Sequence, residues 1–166
     1  MKSALRLVRL AAIACIVGCA YNPLFPDARS VSSRGHELDE RCARSSEAGD
    51  APALSAAVIE NVAPSYASVQ SGNDRAVRLR GARLRFLPQP AFSAESIRRS
   101  LECHQARVVT GRAPALVDDP YTLPDTWLDI DVASAGDGFV VAVASDDISK
   151  AREVLERARR FARPSP

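Results

Sequence analysis

The sequence predicts an α+β fold, a small two-layer sandwich in which an antiparallel sheet carries two helices on one face, in the order β-α-β-β-α. Two observations predict it. Apolar and polar residues alternate, the period of a half-buried strand, over Ala76–Leu87 and again from Trp127 to Val132. Apolar residues recur at helical spacing over Ile97–Val108 and Ile148–Phe161.

The elements follow in order. Ser55 to Val62 reads equally as a short helix or an extended arm, and Pro64 ends it. A strand drawn from residues 55–69 widens the sheet. Ser71-Gly72-Asn73-Asp74 is a loop by its turn residues. In the first clear strand, Val77 and Leu79 alternate with Arg78 and Arg80, and Leu84 and Phe86 with Arg83 and Arg85. Gly81 interrupts it with a bulge or a tight turn. Pro88 and Pro90 stop it.

Ser93 offers an N-cap hydroxyl and Glu95 an acid in the first turn of a helix. Ile97, Leu101, His104 and Val108 form its buried stripe, and it ends before Gly111. Residues 112–126 hold three prolines and the pair Asp118-Asp119, so they form an irregular loop. Leu128, Ile130 and Val132 then alternate with Asp129 and Asp131. Gly136-Asp137-Gly138 turns the chain into a second strand, Phe139 to Ala144, which makes an antiparallel hairpin. Val140, Ala142 and Ala144 are apolar on that strand's other face, so it is central. Asp146 or Asp147 caps the last helix. Its apolar face is Ile148, Ala151, Val154, Leu155, Ala158 and Phe161. Arg157, Arg159, Arg160 and Arg163 complement the dipole at its C-terminal end.

The chain starts differently. Lys2, Arg6 and Arg9 give a positive start, Leu10 to Val17 is an apolar run, and Ile16-Val17-Gly18-Cys19 closes it. A charged start, a short apolar middle and a small residue at the cleavage site describe a secretory signal. The run is shorter than the ~20 residues a membrane-spanning helix needs. With Cys19 in that place, the segment resembles the lipobox signal of bacterial lipoproteins. The resemblance covers residues 1–19 only. It implies cleavage before Cys19, lipid (diacylglycerol and a fatty acyl chain such as palmitate) on Cys19, and anchorage in the cell envelope. With Ala20 rather than Asp after the cysteine, it implies the outer membrane, facing the periplasm. Several acyl chains on one residue anchor lastingly, since each buried CH2 contributes about 0.8 kcal/mol.

These readings divide the chain. Residues 1–18 are a lipoprotein signal peptide. Residues 19–52, rich in Ser, Arg, Asp, Glu and Gly with no sustained period, are a lipid-anchored flexible linker. Residues 53–163 are the α+β domain.

Removing the signal changes the charge balance. The full chain has 22 Lys+Arg and 20 Asp+Glu, and the signal takes three bases and no acid. The basic balance of the whole chain therefore gives no case for a nucleic-acid partner. Along the chain, Arg dominates from Arg75 to Arg112, and residues 113–149 hold eight Asp and no base. The Arg-bearing strand is expected beside the one carrying Asp129 and Asp131, where opposite charges pair. The competing reading is an exposed ionic face that binds a partner.

Of the four cysteines, Cys15 leaves with the signal and Cys19 carries lipid. Cys42 and Cys103 remain, in a compartment that favours disulfides. At about 100° per residue, Cys103 lies near −120° from Ile97, off the buried stripe, where it can meet a partner from outside. A Cys42–Cys103 disulfide is the expectation. It closes about 60 residues, worth about 4 kcal/mol in the chain-entropy model and less for a mobile segment.

The alternative is a periplasmic metal-binding protein using His36, Cys42, Cys103 and His104, since Cys2His2 is a zinc or copper set. Against it, Cys103 and His104 are adjacent on a helix and point about 100° apart. His104 lies on the apolar stripe, as a core histidine bonded to backbone does. A third reading is an enzyme of unrecognised type. No Gly-x-Ser-x-Gly, phosphate-cradling glycine loop or calcium-loop pattern is present. Asp118, Asp119, Asp125, Asp129 and Asp131 are expected to be solvated acids. The leading expectation is a non-enzymatic, lipid-anchored interaction module with no cofactor, its partners the membrane and a protein of the envelope.

Overall fold

The computed structural model describes residues 31–44, 59–71, 74–87 and 92–162. The elements are α1 (Val31–Arg44), β1 (Ile59–Ser71), β2 (Asp74–Phe86), α2 (Ala94–Val109), β3 (Asp129–Ala135), β4 (Gly138–Ala144) and α3 (Ile148–Phe161). The four strands form one sheet in the order β1-β2-β4-β3, every pairing antiparallel. The fold is α+β, with α2 and α3 sharing one core on one face of the sheet.

Two hairpins build the sheet. Ser71 pairs with Asp74 in the first and Ala135 with Gly138 in the second, so each connection is two residues long. Gly136, at φ 64°, opens the second turn, a position that glycine takes without a steric cost. The hairpins join through β4, whose Phe139, Val141 and Val143 face the core while Val140, Ala142 and Ala144 face the other way. The strand apolar on both faces is thus central, as expected, and the acid-bearing β3 is left at an edge, where charge blocks further pairing. β4 therefore separates β2 from Asp129 and Asp131, which corrects the expectation that the Arg and Asp strands are neighbours.

β1 makes the ambiguous arm a strand from Ile59 on, and residues 55–58 of it lie outside the described residues. Pro64 does not end it but pairs in register with Ala82. The strand lies at the sheet edge, where a missing N–H costs no ladder bond. Ser65 pairs with Gly81 and Tyr66 with Leu79, so Arg80 is the extra residue of a β-bulge. Gly81 sits there at φ 145°, and a Cβ on it would stand 2.1 Å from the Val143 carbonyl oxygen. Only glycine fits.

The core is Leu84 and Phe86 of β2, Val141 and Val143 of β4, Ile97 and Leu101 of α2, and Val154, Leu155 and Ala158 of α3. The segment between α2 and β3 is irregular, as expected, yet it supplies Tyr121, Leu123 and Leu128 to that core. Tyr121 meets Phe161 edge to face with ring centroids 6.1 Å apart. α2 starts with a capping box between Ser93 and Ser96. Asp147 caps α3 by accepting from the Ser149 and Lys150 amides, while Asp146 pairs with Arg80.

α1 lies inside the span read as linker. Its inward side is Gly35, Leu38, Asp39 and Cys42, a spacing of three and four residues that marks a helix face. Glycine and aspartate on that face hide the period. Gly35 permits a close approach to α2, since a Cβ there would stand 2.8 Å from Val109 Cγ1. Asp39, 3% exposed, pairs with Arg112 at 3.0 Å and accepts from the Thr110 hydroxyl. Residues 1–30, which include the segment read as a signal and Cys19, lie outside the described residues. Among the described residues no helix is long and apolar enough to cross a membrane.

Candidate functional site

Cys42 and Cys103 are bonded, with Cα atoms 5.8 Å apart. The helical register explains how they meet. Cys103 is off the stripe that faces the sheet, and that side of α2 is the one α1 covers. Both cysteines are buried by the contact they create.

Pinned in this way, α1 forms one wall of a groove of about 770 Å³. The opposite wall is Asp125–Ile130, which leads into β3, and Arg98 and Glu102 of α2 lie along it. The groove is polar. Arg41 pairs with Glu37, and Arg98 with Glu95 and Glu102 at 2.8 Å each. The hydrogen bond from Arg98 to Glu95, then the charge of Glu102, hold the Arg98 guanidinium more firmly protonated than usual. At the mouth, the Arg34 guanidinium carbon lies 4.8 Å from the centroid of the Trp127 ring, a cation–π contact. Trp127 is the chain's single tryptophan. A smaller cavity of about 270 Å³ continues along the α1–α2 seam and reaches the disulfide.

Among the described residues the lining combines both charge signs with an aromatic face and contains no histidine, cysteine or serine. Such a surface hydrogen-bonds and stacks. It suits recognition of a polar ligand or segment.

The remaining residues singled out in the sequence fall elsewhere. His36 is exposed on α1. His104 is not bonded to backbone: its Nε2 lies 2.7 Å from Asp119 Oδ2. Asp119 is 3% exposed, so it is not the solvated acid expected. It also accepts from the Tyr121 amide and the Thr122 hydroxyl, both at 2.8 Å. Burial, then the Asp119 charge, push the Tyr121 phenol well above its ordinary range. From α3, Arg157 donates to the Thr122 carbonyl and Arg160 pairs with Asp118 at 2.7 Å. Two helices thus clamp residues 116–122, and His104 serves that clamp.

This geometry bears on the metal alternative. With the two sulfurs bonded to each other, Cys42 and Cys103 are not thiolate ligands, and His104 is engaged with Asp119. Among the described residues no group of three or more His, Cys, Asp or Glu is placed to hold a metal ion. Comparisons with protein-family models, curated proteins and solved structures gave no match.

The roles of Arg34, Trp127 and Asp119 are not evident from the sequence. A lone tryptophan just before a strand was the one available signal for the groove. Nothing in the local pattern marks Asp119, because its partner lies 15 residues away on a helix.

Proposed function

We propose that this chain is a lipid-anchored, non-enzymatic binding module of the bacterial cell envelope, with the groove between α1 and Trp127 as its recognition surface. The observation that carries the reading is the Cys42–Cys103 disulfide. A buried disulfide between helices belongs to an oxidising compartment, which is where the signal-like residues 1–18 and Cys19 send the chain. The same bond fixes the wall of the groove, so the recognition surface is built before a ligand arrives and loses little entropy on binding. Both features serve one design, a rigid domain held at a membrane surface by lipid on Cys19.

The test is fatty-acid labelling in a bacterial host, comparing the full chain with a Cys19→Ala variant. The wild type is expected to take up radiolabelled palmitate and stay with the membranes through a high-salt wash. The variant is expected to do neither. An unlabelled wild type released by salt contradicts the reading.

A further inference from the structure

One face of the sheet is left open. α2 and α3 pack on the face that carries Leu84, Val141, Val143 and Ile130, and α1 packs on α2. On the opposite face, Arg83 and Asp131 both pair in register with Ala142 of β4, one from each side. They therefore stand in one row, two strand spacings or about 10 Å apart, with β4 midway between them.

Arg83 and Asp131 are both exposed, and neither has an ion pair among the described residues. Their neighbours do. Arg80 pairs with Asp146 and Asp129, Arg85 with Glu60 and Asp137, and Arg78 donates to the Asp146 carbonyl. The two residues left over are of opposite charge and sit symmetrically about a strand whose outward side is Val140, Ala142 and Ala144.

We propose that this face binds a second copy of the same chain, sheet against sheet. A rotation of 180° about an axis that runs along β4 above Ala142 exchanges the Arg83 row with the Asp131 row. Arg83 of each copy then meets Asp131 of the other, and both ion pairs form at once. This is the self-complementarity a two-fold interface requires. The small side chains of Ala63, Ala142, Ala144 and Ala133 let two sheets approach to the usual spacing of about 10 Å. The patch is small, so the dimer belongs with the weak interfaces. The charge pairs set its orientation and its dependence on salt.

The geometry places Ala142 of the two copies face to face, which gives the test. The full chain, with Cys15 and Cys19 replaced by serine in test and control alike so that no native thiol is left free, carries Ala142→Cys, is purified in detergent and oxidised, and dimers are read on a non-reducing gel. Val117→Cys, on an exposed loop residue outside the sheet, is the control. Ala142→Cys is expected to give a disulfide-linked dimer at about 10 μM chain, the range of a weak interface, and Val117→Cys to give none. Adding Arg83→Asp or Asp131→Arg to Ala142→Cys is expected to lower the yield about tenfold or more, since like charges then face each other. Mixing the Arg83→Asp and Asp131→Arg chains restores it, because each copy then supplies what the other lacks. Both changes are on exposed residues, and thermal melts check that the fold is kept. Three results would overturn the proposal: no Ala142→Cys dimer, a dimer indifferent to the charge reversals, or no rescue on mixing. Failure of the thiol introduced by Ala142→Cys to react with a maleimide in monomeric protein also overturns it, because the chain itself then covers the face. None of these outcomes depends on lipid at Cys19.

Discussion

His104 Nε2 lies 2.7 Å from Asp119 Oδ2, and this contact fastens the segment between α2 and β3 to the helical layer. Asp119 accepts three hydrogen bonds while almost wholly buried. Replacing it by alanine leaves an amide, a hydroxyl and an imidazole without their acceptor. Asp119→Ala is expected to destabilise the domain by about 2–4 kcal/mol in urea unfolding. Asp118→Ala, which breaks only an exposed pair with Arg160, is expected to cost less than about 1 kcal/mol. Equal effects of the two changes would refute the clamp.

The disulfide joins α1 to α2 across a sequence separation of 61 residues. The chain-entropy model gives about 4 kcal/mol for such a loop, and residual order in the reduced unfolded chain lowers it. Replacing both Cys42 and Cys103 by alanine should cost about 2–4 kcal/mol in denaturant unfolding and speed amide exchange in α1 more than in α2. A thiol assay on the unfolded, unreduced protein should find neither sulfur free.

Asp147 caps α3, and hydrogen bonds from the Ser149 hydroxyl and the Lys150 and Ser149 amides hold its carboxyl below the usual range. A carboxyl with a lowered pKa stabilises the fold above its unfolded value, near 3.9, and loses that contribution as pH falls through the folded value. Asp147→Ala should therefore lower the melting temperature at pH 7, and the gap from wild type should close as the pH falls through the lowered folded value. A gap that stays constant with pH would mean the cap works without its charge.

At Gly81 the backbone is left-handed and the Val143 carbonyl oxygen stands where a Cβ would go. Gly81→Ala should destabilise by about 3 kcal/mol or more, from strain and overlap together. Circular dichroism melts would check it. A near-neutral change would mean that the bulge at Arg80 is not built as described.

The sequence carried the elements whose signal is periodic. α2, β4 and α3 follow from their spacing, and the two-residue turn at Gly136 from its glycine. The disulfide was legible too, because helical register set Cys103 apart from the stripe of Ile97 and Leu101. Three features were not. α1 buries Gly35, Asp39 and Cys42, residue types that read as loop, and Leu38 beside them is too little apolar signal to show a period. β1 carries Pro64, a strand-breaker everywhere but at an edge, and its edge position is a property of the assembled sheet. The groove joins α1 to Trp127 across more than eighty residues of chain, and Arg41 with Glu37 and Arg98 with Glu102 pair within it, so no local cluster announces it.

The proposed function requires one molecule carrying both a lipid at Cys19 and a bond between Cys42 and Cys103. The intact mass of the full-length gene product, extracted from membranes without reductant, tests both at once. The predicted mass is that of residues 19–166 with diacylglycerol and fatty acyl groups added and two hydrogens removed, and reduction should return those two hydrogens. A mass that retains residues 1–18, or one that lacks lipid, would contradict the anchor. A mass unchanged by reduction would contradict the staple.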